Sequence, residues 1–115
     1  DMLIVAEMNF EYFYLNGSTV GFEHIIDAYV GKLFDYVLFN LAHSSTNVTK
    51  KYYIKMIDLL NKYSSNWKNN EYFSDKNVSL FTKVVRNSLK NKMIFNCYNI
   101  KLFKTIMKKK MENYQ

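Results

Sequence analysis

The sequence predicts a mainly α fold, a compact bundle of four to five helices around a long central helix over residues 19–43. Three observations predict it. Apolar residues in 19–43 recur at helical spacing in two rows. Further segments, from about 50 and from about 74, pair a capping residue with an apolar stripe. And 49% of the 115 residues are hydrophobic, among them 9 Phe, 10 Tyr and 1 Trp, enough to build a core.

The first element is ambiguous. Residues 2–14 (MLIVAEMNFEYFY) place Glu7 and Glu11 four apart, which suits a short helix. Phe10, Tyr12 and Tyr14 also alternate around Glu11, and Asn16-Gly17 follows, so a β-hairpin near 10–22 competes with a helix or extended arm. The second element is the clearest. Ser18 or Thr19 can cap it, and Glu23 and Asp27 lie early, where the helix dipole favours acids. Phe22, Ile26, Tyr29/Val30, Leu33, Val37 and Leu41 form one row; Ile25, Phe34 and Leu38 widen it, so the helix is buried on two sides.

After a loop at Ser44–Asn47, Thr49 can cap a helix over 50–63, with Val48 and Tyr53 placed as a hydrophobic staple. Trp67 sits in a polar connection between Ser64-Ser65-Asn66 and Asn69-Asn70. Ser74 or Asp75 starts a fourth helix carrying Val78, Phe81, Val85 and Leu89, and Asn96–Asn99 breaks it. A last helix from Ile100 places Phe103, Ile106, Met107 and Met111 on one side and lysines on the other.

Composition bounds the function. Residues 1–115 read as one helical domain, and a start at Asp1 reads as an excised or processed piece. The apolar content excludes a disordered chain, and the single Cys97 excludes a disulfide scaffold. That Cys and the lack of a visible signal peptide favour an intracellular setting. No run approaches the length of a membrane span. The abundance of Asn, Lys, Tyr, Phe and Ile over Ala, Gly, Pro and Arg matches an A/T-rich genome, so the +6 net charge is discounted. Its distribution is not. Residues 1–58 hold four lysines against seven acids, and residues 59–115 hold twelve bases against three. From Lys76 to Met111 there is no carboxylate.

No catalytic or metal set emerges. His24 and His43 lie on one predicted helix, far in sequence from Cys97, and Glu23, His24 and Asp27 lack a matching unit on a second helix. Gly17, Gly21 and Gly31 lack phosphate-loop spacing. The expectation is a non-enzymatic domain without a cofactor or metal. Two binding signals are left. Phe22, Ile26, Tyr29, Leu33, Val37 and Trp67 are candidates for an apolar partner interface. Lys83, Arg86, Lys90, Lys92, Lys101, Lys104, Lys108, Lys109 and Lys110 are candidates for a basic binding face.

Residues 2–63 resemble the histone-fold subunits of the general transcription machinery, the TBP-associated factors. The features that carry the resemblance are short 2–14, long 19–43, the loop step Val48-Thr49 and short 50–63. Where that family places an Asp three residues after the loop Thr, this chain has Tyr52. The resemblance implies an interlocked pair, with Phe22, Ile26, Tyr29, Leu33 and Val37 facing the partner. The expected function is therefore protein–protein interaction with another protein, acidic or a second copy, through a domain with a basic C-terminal half. The alternative is binding of nucleic acid or, less favoured, an acidic membrane surface through residues 76–110.

Overall fold

A computed structural model describes residues 2–16 and 19–113, with side chains described for 2–16 and 23–110. Among the described residues there are five α-helices and no strand: α1 (Met2–Leu15), α2 (Thr19–His43), α3 (Thr46–Tyr63), α4 (Leu80–Lys90) and α5 (Cys97–Asn113). Three short 3₁₀ turns, Trp67–Asn69, Glu71–Phe73 and Met93–Phe95, join the last three helices. The molecule measures 47 × 30 × 27 Å.

The N-terminal ambiguity resolves as helix. Leu3, Ala6 and Phe10 are buried at i, i+3 and i+7, and α1 lays this face on α2 and α3. The Phe10 ring meets Tyr29 edge-on at 5.5 Å and Tyr63 at 5.7 Å, and Asn9 Nδ2 donates to the Tyr29 hydroxyl at 2.5 Å. The expected hairpin near 10–22 is corrected, because residues 10–15 and 19–22 are helical. The Asn16 backbone N–H and side-chain amide both donate to the Tyr12 carbonyl, at 3.1 and 2.7 Å. Asn16 thus closes a helix end, a role open to the same residue type that signals a hairpin. Gly17 and Ser18, on which the hairpin turn and one capping option rested, lie outside the described residues.

In α2, Ile26, Val30, Leu33, Phe34, Val37 and Leu41 are buried, and the helix packs against α1, α3, α5 and the Trp67–Asn69 turn. The third helix begins one turn earlier than expected, at Thr46. Thr49 is therefore not its cap; it is 1% exposed and its hydroxyl donates to the Ser45 carbonyl at 2.9 Å. Val48 is exposed, so the expected staple with the buried Tyr53 does not form. Tyr53, Met56, Ile57 and Leu60 supply the inner face of α3.

The centre of the core is aromatic. Phe34 stacks on Trp67 at 5.6 Å and takes Phe73 edge-on at 5.0 Å. Edge-on and offset pairs add about 0.5–1.5 kcal/mol beyond area burial. The expected start of α4 at Ser74 or Asp75 is also corrected. Ser79 caps it by accepting the Thr82 N–H, and Asp75 Oδ1 accepts the Asn77 N–H in the preceding loop. The break between α4 and α5 falls at 91–96 rather than 96–99, so α5 starts at Cys97 rather than Ile100. Phe103 anchors α5 in the core.

Candidate protein-interaction surface

The residues expected at an apolar interface mostly lie inside this chain's own core. Ile26 is 2% exposed, Leu33 and Val37 are fully covered, and Tyr29 is half-buried against Phe10 and Asn9. The side chain of Phe22 lies outside the described residues. Trp67, placed by its polar neighbours as a surface residue, is 2% exposed, and its Nε1–H donates to Asn61 Oδ1 at 2.7 Å. Burial of an indole is tolerated where that one donor finds a partner, and Asn61 is the partner.

The expected basic face divides in two. Four of its members have work inside the molecule. The Arg86 guanidinium lies 3.9 Å from the centre of the Tyr72 ring and donates to the Tyr72 carbonyl at 3.0 Å. Asp75 flanks it at 3.8 Å. Lys90 sits over Phe73, Lys110 over Phe81, and Lys104 Nζ donates to Thr46 Oγ1 at 3.0 Å. The side-chain ammonium groups of Lys83, Lys92, Lys101, Lys108 and Lys109 make no hydrogen bond or ion pair with a described residue.

Tyr72 ties this region to α2. Its hydroxyl donates to Asp35 Oδ1 at 2.7 Å, and burial, the bond to Asp35 and the charge of Asp35 push the phenol far above its ordinary range. The absence of a side chain at Gly31 makes room for the ring, which would stand 3.3 Å from a Cβ there. The Arg86–Tyr72–Asp35 assembly is thus a clamp between α2 and α4 rather than an open binding face.

Surface that is both apolar and cationic gathers around the Met93–Phe95 turn. One shallow groove of about 390 Å³ between α4 and the start of α5 is lined by Lys83, Val84, Asn87, Asn91, Met93 and Asn99. A second of about 430 Å³, between α3 and the turn, is lined by Lys50, Tyr53, Ile54, Lys92, Met93 and Phe95. Met93 is the ridge they share. Neither lining contains a carboxylate. Val84, Met93 and Ile54, which line these grooves, are 57%, 55% and 46% exposed.

The walls are held by local hydrogen bonds. Asn99 Nδ2 donates to the Met93 carbonyl at 2.7 Å, Asn91 Nδ2 to the Asn87 carbonyl at 3.2 Å, and Asn87 Nδ2 to the Lys83 carbonyl at 2.9 Å. Beneath the ridge, the Tyr53 hydroxyl donates to the Leu89 carbonyl, pinning α3 to the end of α4. Burial pushes that phenol up to about 12, against a smaller opposite pull from the Lys92 backbone.

Lys92 itself has φ 63, in the left-handed region. It stands just past Asn91, which caps the C-terminal end of α4, and its N–H reaches back to the Leu89 carbonyl at 3.3 Å. Gly or Asn ordinarily takes that place. Codon usage does not account for the lysine, because Asn also has A/T-rich codons and occurs 14 times here.

The other chemistry-bearing residues do not converge. His24 and Asp27 border a polar groove with Asn66, Asn69, Asn70 and Glu71, His43 lies against Phe39, and Cys97 is exposed. Among the described residues no group of three His, Cys, Asp or Glu is placed to hold a metal ion. No helix there is long and apolar enough to cross a membrane. Sequence reasoning missed Met93, Val84 and Ile54. Each sits at a spacing that also fits a core stripe, and only a lysine next to a methionine in a short inter-helix segment hinted otherwise.

The fold is a helical domain whose Met93 turn carries exposed apolar side chains edged by lysines. No protein-family model, no curated protein and no solved structure matches the chain.

Proposed function

We propose that this chain is a non-enzymatic protein-interaction domain that docks an acidic segment with large apolar side chains along the Met93 ridge. The single observation that carries the reading is the conjunction at that ridge. Three exposed apolar side chains stand between Lys50, Lys83 and Lys92, with no carboxylate among the lining residues. Apolar burial would supply affinity, and the lysines would select an acidic partner and speed its approach. Groove walls already hydrogen-bonded in place reduce the ordering cost of docking.

Histone-fold-like pairing, in transcription or chromatin, is a narrower version of the same proposal. It would require Ile26, Leu33 and Val37 to face a second chain instead of their own core. Its signature is an obligate dimer that loses its fold when the partner is removed.

Fluorescence anisotropy with a labelled Glu/Leu-rich helical peptide, its Lys/Leu counterpart and a duplex DNA oligonucleotide tests the reading. The expected result is binding of the acidic peptide only, weakened about tenfold or more by Met93→Asp. Binding of DNA with a steep salt dependence, unchanged by Met93→Asp but lost on reversing Lys101, Lys108 and Lys109, would establish the basic-face alternative instead.

A further inference from the structure

The outward side of α1 is the largest apolar surface that the proposed docking leaves unexplained. Ile4, Met8, Tyr12 and Leu15 recur at i, i+4, i+8 and i+11 and are 58%, 66%, 62% and 72% exposed; Val5 extends the stripe. Because Leu3, Ala6 and Phe10 fill the inward side, α1 is apolar both inward and along this outward stripe. A surface helix with one face in the core ordinarily carries polar residues on the other.

The stripe has a charged edge. Glu7 and Glu11, four residues apart and both exposed, run beside it, and α1 contains no lysine or arginine. Lys55 and Lys62 of α3 border a shallow groove with Glu7, yet neither glutamate has an ion-pair partner within 4.0 Å among the described residues. This is an acidic-edged apolar helix, the class of ligand proposed for the Met93 ridge.

Resting on that reading, we propose that the outward face of α1 in one copy docks on the Met93 ridge of a second copy, so that the chain associates head to tail. Charge complementarity selects this occupant. The ridge offers Lys50, Lys83 and Lys92 without a carboxylate, and α1 offers Glu7 and Glu11 with no cation of its own, Lys55 and Lys62 of α3 sharing a groove with Glu7 without pairing to it. A back-to-back pairing of two α1 helices would instead bring four glutamates together with no cation on either helix, which is unfavourable. Two different complementary patches on one chain make a heterologous contact, which builds a ring or an open string of copies.

Sedimentation velocity on the full chain, with two variants broken on opposite sides, tests this. Met8→Arg disables the α1 face and Met93→Asp the ridge; both positions are exposed, and circular dichroism checks that the fold is kept. The expected result is concentration-dependent, salt-weakened assembly of the wild type and monomers for each variant alone. An equimolar mixture of the variants then forms a one-to-one pair, because one intact α1 face and one intact ridge survive. Tyr12→Lys replaces Met8→Arg if that variant fails to fold.

A Met93→Asp chain that still dimerises while Met8→Arg does not would overturn the proposal in favour of an α1–α1 contact. A monomeric wild type at high micromolar concentration would also overturn it. In that case, acidic-peptide binding that persists and is lost in Met93→Asp leaves the groove reading standing alone. Loss of both behaviours removes the two together.

Discussion

The 3₁₀ connections on the two sides of α4 are of the same helical type but are buried to different extents. On the N-terminal side, Trp67–Asn69 and Glu71–Phe73 bury Trp67 and Phe73 against Phe34, and Tyr72 is clamped between Asp35 and Arg86. On the C-terminal side, Met93–Phe95 buries Ile94, leaves Met93 exposed and is preceded by a lysine in the left-handed region. Local conformation therefore does not separate a buried turn from one that leaves a side chain exposed. What separates them is whether α2 lies within reach: the first pair of turns folds onto α2, whereas the last stands over the α3–α4–α5 junction with one side open.

The largest expected effect breaks the structural side. Trp67→Ala should cost about 3–5 kcal/mol, since it removes the ring stacked on Phe34 and leaves Asn61 without its donor. Urea denaturation reads it directly. If the loss were under about 1 kcal/mol, the first connection would not be the structural one.

Arg86→Ala should follow, at about 2 kcal/mol, because a charged hydrogen bond to the Tyr72 carbonyl and the stacking on its ring disappear together. Arg86→Lys should restore little, since an ammonium cannot stack as a flat guanidinium does. Reduced thermal stability in both variants is the readout.

Alkaline titration compares the two sides through their tyrosines. Tyr53 lies beneath the open turn and Tyr52 at the α2–α3 contact; burial pushes both phenols from 10.0 up to about 12, with Tyr36 adding to the rise at Tyr52. Tyr72, in the clamped turn, is pushed higher still. The unfolded chain gives up these protons near its ordinary value while the folded chain keeps them. It then binds fewer protons than the native state, and stability falls as pH rises through 10 to 12. Melting temperature followed upward from neutral pH should drop in that window. Tyr53→Phe and Tyr72→Phe, each flattening the drop, apportion it between the two connections.

Lys92→Gly should raise stability by up to about 1 kcal/mol, since glycine adopts the left-handed conformation without a Cβ clash. The same change should weaken acidic-peptide binding by removing one rim cation. A variant that is more stable and binds unchanged would show that Lys92 plays no part at the ridge. The smallest stability effect belongs to Met93→Ala, within about 0.5 kcal/mol because the side chain is already exposed, while docking falls about tenfold.

Much of the helical plan was legible in residue spacing. The 19–43 segment, the inner face of α3 and the stripe carrying Val85 and Leu89 all follow the three-to-four-residue period, which depends only on backbone geometry. Helix starts were less legible. Thr49 and Ser74 are good capping residues in isolation, and Ser45 and Ser79 are equally good; the choice depends on which start lets the inner face meet its neighbours. Ile26, Leu33 and Val37 illustrate the limit for sites, because periodicity identifies an apolar face without saying whether the chain itself or a partner covers it.

The sequence by itself determined a helical chain with an acidic first half, a basic stretch from 76 to 110 and more aromatic surface than one helix can bury. Only the tertiary structure decided that Trp67 is core and Met93 is surface, that Arg86 clamps Tyr72 while Lys83 and Lys92 edge a groove, and that α1 keeps an apolar face outward. The physical reason is one of range. Helix period and charge are properties of neighbours along the chain, whereas burial is settled between residues tens of positions apart, such as Phe34 with Trp67 or Tyr53 with Leu89.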